Sequence, residues 1–112
     1  MIKDKKSKNA TADPMLFCED GKACISLRGE IDHHRAALLR GQLDDEICRF
    51  RPHELRLDLS GIDFMDSSGL GLILGRSRLL AQLGGELIVS RPSPAVRRML
   101  DLSGMERIVR IE

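Results

Sequence analysis

Leu55-Arg56-Leu57-Asp58-Leu59-Ser60 decides the fold. Three leucines alternate with an arginine, an aspartate and a serine. A period of two belongs to a β-strand with one buried and one polar face. A central strand covered by helices on both faces would not readily carry Arg56 and Asp58 on its second side. Helices are therefore expected mainly on one face of the sheet. After four intervening residues comes Met65-Asp66-Ser67-Ser68-Gly69-Leu70-Gly71-Leu72-Ile73-Leu74-Gly75. From about Ser67 to Leu83 the apolar residues Leu70, Ile73, Leu74, Leu80 and Leu83 recur at helical spacing, and Gly84-Gly85 supplies a stop.

The same reading extends in both directions. Upstream, Met15–Cys18 and Ala23–Arg28 flank Glu19-Asp20-Gly21-Lys22, a hairpin pattern. Asp32 is a good N-cap for a helix carrying Ala36, Leu39, Leu43, Ile47 and Phe50 on one stripe, with Pro52 as its stop. Downstream, Leu87-Ile88-Val89 reads as a strand. Ser93 caps a short helix with Pro94 at N1 and Val96, Met99, Leu100 and Leu102 as its apolar positions. Gly104 ends that helix, and Ile108–Ile111 is the last strand. The order ββαβαβαβ implies a mixed sheet, with right-handed crossovers wherever neighbouring strands run parallel.

A chain of 112 residues holds one core, and with three phenylalanines and no Trp or Tyr that core is aliphatic. The formal charge of +1 argues against a general attraction to polyanions. Four of the five lysines lie in the first eight residues, which marks 1–13 as a flexible basic tail and 14–112 as the folded domain. Cys18, Cys24 and Cys48 form no CxxC pair and are expected as buried free thiols. No signal-peptide core follows the lysines and no apolar run approaches a membrane span, so a cytoplasmic location and no membrane partner are expected.

The Asp-Ser-Ser-Gly corner carries the functional expectation. With Asp66 as N-cap, Met65 is N′ and Leu70 is N4, a hydrophobic-staple pair, and Ser67 at N1 is left as an exposed hydroxyl. Placing the cap at Ser67 would make Asp66 and Gly71 the staple, which cannot pack. Gly69, Gly71 and Gly75 each cost roughly 1 kcal/mol relative to alanine in a helix interior. So many in one segment imply close backbone approach, to the sheet or to a docked partner. The corner lacks a G-x-S-x-G elbow and an assignable base, and the Gly/Leu run lacks the Lys-Ser/Thr end of a P-loop. His33 and His34 have no third ligand at metal spacing, so neither a metal nor a cofactor is expected. Arg76, Arg78, Arg97 and Arg98 read as solvent-facing surface, and direct nucleic-acid binding is not expected.

Ile31-Asp32-His33-His34, Phe64 through Arg76, Gly84-Gly85-Glu86, Ser93-Pro94-Ala95-Val96-Arg97-Arg98 and Asp101-Leu102-Ser103-Gly104 together resemble the anti-sigma factor antagonists, more narrowly their sporulation branch. The likeness runs in order over residues 15–112. It implies a small α/β fold of the STAS type and a non-enzymatic, partner-switching protein. In that family the unmodified form binds an anti-sigma factor that is also a serine kinase, releasing a sigma factor; ATP and magnesium belong to the kinase. The resemblance places phosphorylation at Ser67, reversed by a separate serine phosphatase, and a partner surface at Asp32, His33, Asp66, Ser67, Ser68 and Gly69. The rival readings are a general-stress or signalling-complex antagonist, and a small enzyme with Ser67 as nucleophile.

Overall fold

The structure, a computed structural model, describes residues 10–112. Six strands form one sheet: β1 (Thr11–Ala12), β2 (Leu16–Phe17), β3 (Lys22–Ile31), β4 (Glu54–Met65), β5 (Glu86–Ser90) and β6 (Arg110–Ile111). Helices α1 (His33–Phe50), α2 (Ser67–Gln82) and α3 (Pro94–Ser103) alternate with them, and a 3-10 turn at Met105–Arg107 precedes β6. The main path runs β1-β3-β4-β5-β6, with β2 also pairing β3. β1 and β2 are antiparallel to β3, and every later pairing is parallel. Because β3, β4, β5 and β6 are laid down in one direction, three right-handed crossovers place all three helices on the same face.

Burial along β4 follows the sequence reading. Leu55, Leu57 and Leu59 join the core with Ile25 and Leu27 of β3, Leu87 and Val89 of β5, and Leu39, Leu43, Ile47, Ile73, Leu80, Val96 and Leu100 from the helices. The opposite face is polar. Arg56 pairs with Glu54 and Glu112, Arg110 approaches Glu54 and Glu86, and Asp58 accepts from Arg91 and the Ser60 amide. Ile88 lies on that face yet is fully buried. Its register partners are Arg56 and Arg110, whose aliphatic stems can shield it while their charged ends stay wet.

Several local expectations need correction. The first folded residues lie inside the expected tail: Thr11 and Ala12 pair with Arg28 and Leu27, Ala10 is buried, and Asp13 binds Arg28 at 2.8 Å. Two strand pairings, flanking backbone hydrogen bonds from the Ala10 and Asp13 amides to the Glu30 and Ser26 carbonyls, and one ion pair compensate for the polar composition that suggested a tail; the part of that segment before residue 10 lies outside the described residues. Phe50, expected on the inner stripe of α1, is the last residue of that helix and is exposed, and its ring meets Phe17 edge-on. Cys18 and Cys48 are exposed and Cys24 half-buried, all with free thiols. Short apolar runs at a sheet edge do not guarantee burial. The final strand is only Arg110–Ile111, since the Ile108 and Val109 amides donate back to the Met105 carbonyl rather than to a neighbouring strand.

Candidate functional site

The site is built where β3 and β4 end side by side. Their register is not constant: Ser26 pairs with Asp58, but Ile31 pairs with Met65, so β4 spends two extra residues at irregularities on the way. Such bulges reset which side chains face the core. They let β4 run on past the regular alternation and bring Ile62 and Met65 back inside. The same shift sets Met65 opposite Ile31, so the residues that follow, Asp66 and Asp32, cap two adjacent helices. The Asp66 amide donates to the Ile31 carbonyl at 3.0 Å, tying the two caps together.

Both caps have extended backbone and an accepting carboxylate. Asp32 Oδ1 accepts from the Arg35 amide at 2.7 Å, and Asp66 Oδ1 accepts from the Ser68 amide at 2.8 Å. These bonds satisfy donors that a helix start leaves without intrahelical partners. Ser67 is therefore the first helical residue, as its sequence context predicts, and it is exposed. Ser68 is half-buried, and its Oγ lies 3.5 Å from Nδ1 of His33, on the next helix. Gly69 is buried, and a Cβ at that position would lie 2.5 Å from Sδ of Met65. The glycine leaves room for the methionine that closes the core beneath the corner.

Two grooves flank the corner. The first lies between α1 and α2 and is lined by His33, Arg40, Ser68, Gly71 and Arg76. A Cβ on Gly71 or Gly75 would meet nothing within 4 Å, so internal crowding does not require either glycine. The second lies between the start of α2 and α3. Ser67 stands at its edge, Leu70, Met99 and Leu102 are among its walls, and Arg98 is its charged residue. Leu102, read from spacing as a core position of α3, is 82% exposed.

Arg76 also departs from the surface role expected of it. It is buried between α1 and α2, donates to the Leu72 carbonyl at 3.3 Å, and brings Nε to 2.8 Å from Oδ1 of Asp44. The contact is close enough for an ion pair but not aligned as a hydrogen bond, so neither buried atom has a directional partner. Burial pushes the Arg76 guanidinium below its ordinary pKa, against the opposing pull of Asp44. Sequence spacing held a signal for this: Arg76 follows Leu72 and Ile73 by four and three residues, on the buried stripe of α2.

The structure thus gathers Asp32, His33, Asp66, Ser67, Ser68 and Gly69 beyond the C-terminal ends of β3 and β4, although the two groups are more than thirty residues apart in sequence. Among the described residues no cluster of three metal-ligating side chains occurs, and no helix is long and apolar enough to cross a membrane. The STAS-domain profile matches residues 14–112. The anti-sigma F factor antagonist of Paenibacillus polymyxa is 45% identical over 91 residues, 81% of this chain and 78% of that protein. The chain belongs to the anti-sigma factor antagonists of the STAS family. Membership makes it a regulatory protein rather than an enzyme. The anti-sigma-B factor antagonist of Bacillus subtilis is more distant, at 31% identity over 78% of each chain. Solved structures agree. The anti-sigma factor antagonist SpoIIAA in its unphosphorylated form has a TM-score of 0.73 at 32% identity, covering 88% of this chain and 85% of its own. Its phosphorylated form from Bacillus gives 0.66 at 31% identity, covering 88% of each.

Proposed function

We propose that the unmodified chain binds an anti-sigma factor that is also an ATP-dependent serine kinase, so releasing a sporulation sigma factor, and that phosphorylation of Ser67 ends the binding. The observation that carries this is the exposed Ser67 hydroxyl at the first position of α2, between two grooves. The phosphorylated SpoIIAA structure supports a phosphorylated state for a relative of this fold. The greater identity to the anti-sigma F antagonist than to the anti-sigma-B antagonist favours the sporulation branch over the general-stress one.

In this mechanism the Ser67 hydroxyl attacks the γ-phosphorus of ATP held by the kinase. The new Oγ–P bond replaces the bridge to ADP, and the hydroxyl proton leaves to a base on the kinase. ATP and magnesium stay with that partner, and this chain contributes only the acceptor and the docking surface. Asp32, His33, Asp66, Ser68 and Gly69 surround the acceptor and form the contact set. A phosphate at a helix start does not oppose the helix dipole, so the fold survives. It adds about −1.5 to −2 charges beside Asp66, on a surface that the partner must desolvate. Exclusion is then electrostatic and steric. A separate phosphatase restores the binding form, and the exchange takes place in the cytoplasm.

The test is incubation with the cognate anti-sigma kinase and ATP, followed by phosphosite mapping and binding measurements. Stoichiometric modification confined to Ser67, abolished in Ser67→Ala (S67A) while S67A stays bound to the kinase, is the expected result. Turnover of a small substrate that S67A abolishes would instead make Ser67 a nucleophile. Phosphorylation accompanied by global unfolding, seen in backbone chemical shifts, would overturn the exclusion mechanism.

A further inference from the structure

We propose that Arg98 of α3 receives the phosphate carried by phosphorylated Ser67 and closes the apolar groove between α2 and α3. The inference rests on Ser67 being the phosphorylated residue. Ser67 and Arg98 line the same groove, and Arg98 is the charged residue among its walls. Among the described residues Arg98 has no carboxylate within ion-pair distance, whereas its neighbour Arg97 faces Asp101 at 3.6 Å. Its guanidinium therefore needs to break no internal pair before taking a new one.

Two backbone donors close to Ser67 are less available. The Ser68 amide already donates to the Asp66 carboxylate, and the Gly69 amide donates to the Asp66 carbonyl at 3.0 Å. A phosphate on Ser67 meets occupied amides at Ser68 and Gly69 and, across the groove, an arginine without a carboxylate partner among the described residues. Arginine presents parallel N–H donors that match two phosphate oxygens at once. Leu70, Met99 and Leu102 line the same groove, and Leu102 is largely open to solvent in the unmodified protein. Bridging the groove at its rim covers these apolar walls. Phosphorylation would then remove a docking surface by shape as well as by charge.

The experiment uses the full chain with phosphoserine inserted at position 67 during synthesis, so no kinase is required. Phosphorus NMR follows the second ionisation of the phosphate in this protein and in its Arg98→Gln (R98Q) and Arg97→Gln (R97Q) versions. A phosphate paired with a cation keeps its dianion to lower pH. R98Q is expected to raise the midpoint by about half a pH unit, roughly a threefold change in proton affinity, while R97Q leaves it in place. The Arg98 side-chain N–H resonance is also expected to move on phosphorylation. Equal midpoints in R98Q and R97Q, with an unmoved Arg98 resonance, would overturn the proposal. So would an R98Q protein that loses partner affinity only in the unmodified state. If the kinase leaves Ser67 unmodified, the proposed function fails on its own, and the inserted phosphoserine still reports whether the contact forms.

Discussion

Gly69 and Gly71 stand two residues apart on one helix and answer to different constraints. A methyl group at Gly69 would enter the space of Met65 Sδ, and one at Gly71 would meet open groove. Gly69→Ala is therefore expected to lower stability by about 1–3 kcal/mol through overpacking. Gly71→Ala should raise it by roughly 0.5–1 kcal/mol, because alanine loses less backbone freedom in a helix. Urea unfolding of the two variants checks the opposite signs; equal effects would remove the packing distinction. Gly71→Ala is also expected to weaken kinase binding if the partner's backbone enters the α1–α2 groove. His33→Ala should weaken that binding too, with helix content unchanged by circular dichroism, since the ring lies beside Ser68 on the exposed rim.

At the scale of elements, the packing of α1 on α2 includes one charge that water barely reaches. Arg76 is buried, and its partner Asp44 is only partly so. Removing the carboxylate leaves the guanidinium with the Leu72 carbonyl alone. Asp44→Ala should cost about 1–2 kcal/mol, less than a fully buried pair because solvent screens the aspartate side. Arg76→Met, which removes the charge and keeps the stem's volume, should cost less than Asp44→Ala. The ordering, measured by denaturant titration, is the informative result; a larger loss for Arg76→Met would mean the pair is net stabilising. The helix itself was legible from its cap and spacing. The burial of Arg76 was not, because helical periodicity marks the inner stripe without revealing which neighbouring helix supplies a counter-charge.

Across the whole molecule, the uncovered sheet face is held by ion pairs, and its stability follows pH. Burial alone would push the Asp58 carboxyl up, but the Arg91 guanidinium and Ser60 outweigh it and hold it below its ordinary 3.8. Hydrogen bonding to Arg56 likewise holds Glu112 down, against a smaller desolvation effect. Folded values below unfolded ones stabilise the native state above the unfolded carboxylate range. That contribution is lost as pH falls through the lower folded values. Melting temperature is therefore expected to hold above about pH 5 and fall below about pH 4. Asp58→Asn should flatten that acid slope, and an unchanged slope would locate the acid sensitivity elsewhere.

Alternation in 55–60, the apolar spacing of the helices and the caps at Asp32, Asp66 and Ser93 are local patterns, each carried by a few consecutive residues. They were enough to determine a mixed sheet with helices on one face, and to place Ser67 at the exposed start of a helix. Tertiary structure alone decided what lies beside it. The two-residue register drift between β3 and β4 sets Asp32 next to Asp66 and His33 next to Ser68, while chain packing sets Arg98 across from Ser67 and Asp44 against Arg76. The physical reason is range: capping and periodicity act within one or two turns of chain, whereas register and helix docking are settled by cooperative packing of segments that are far apart in sequence.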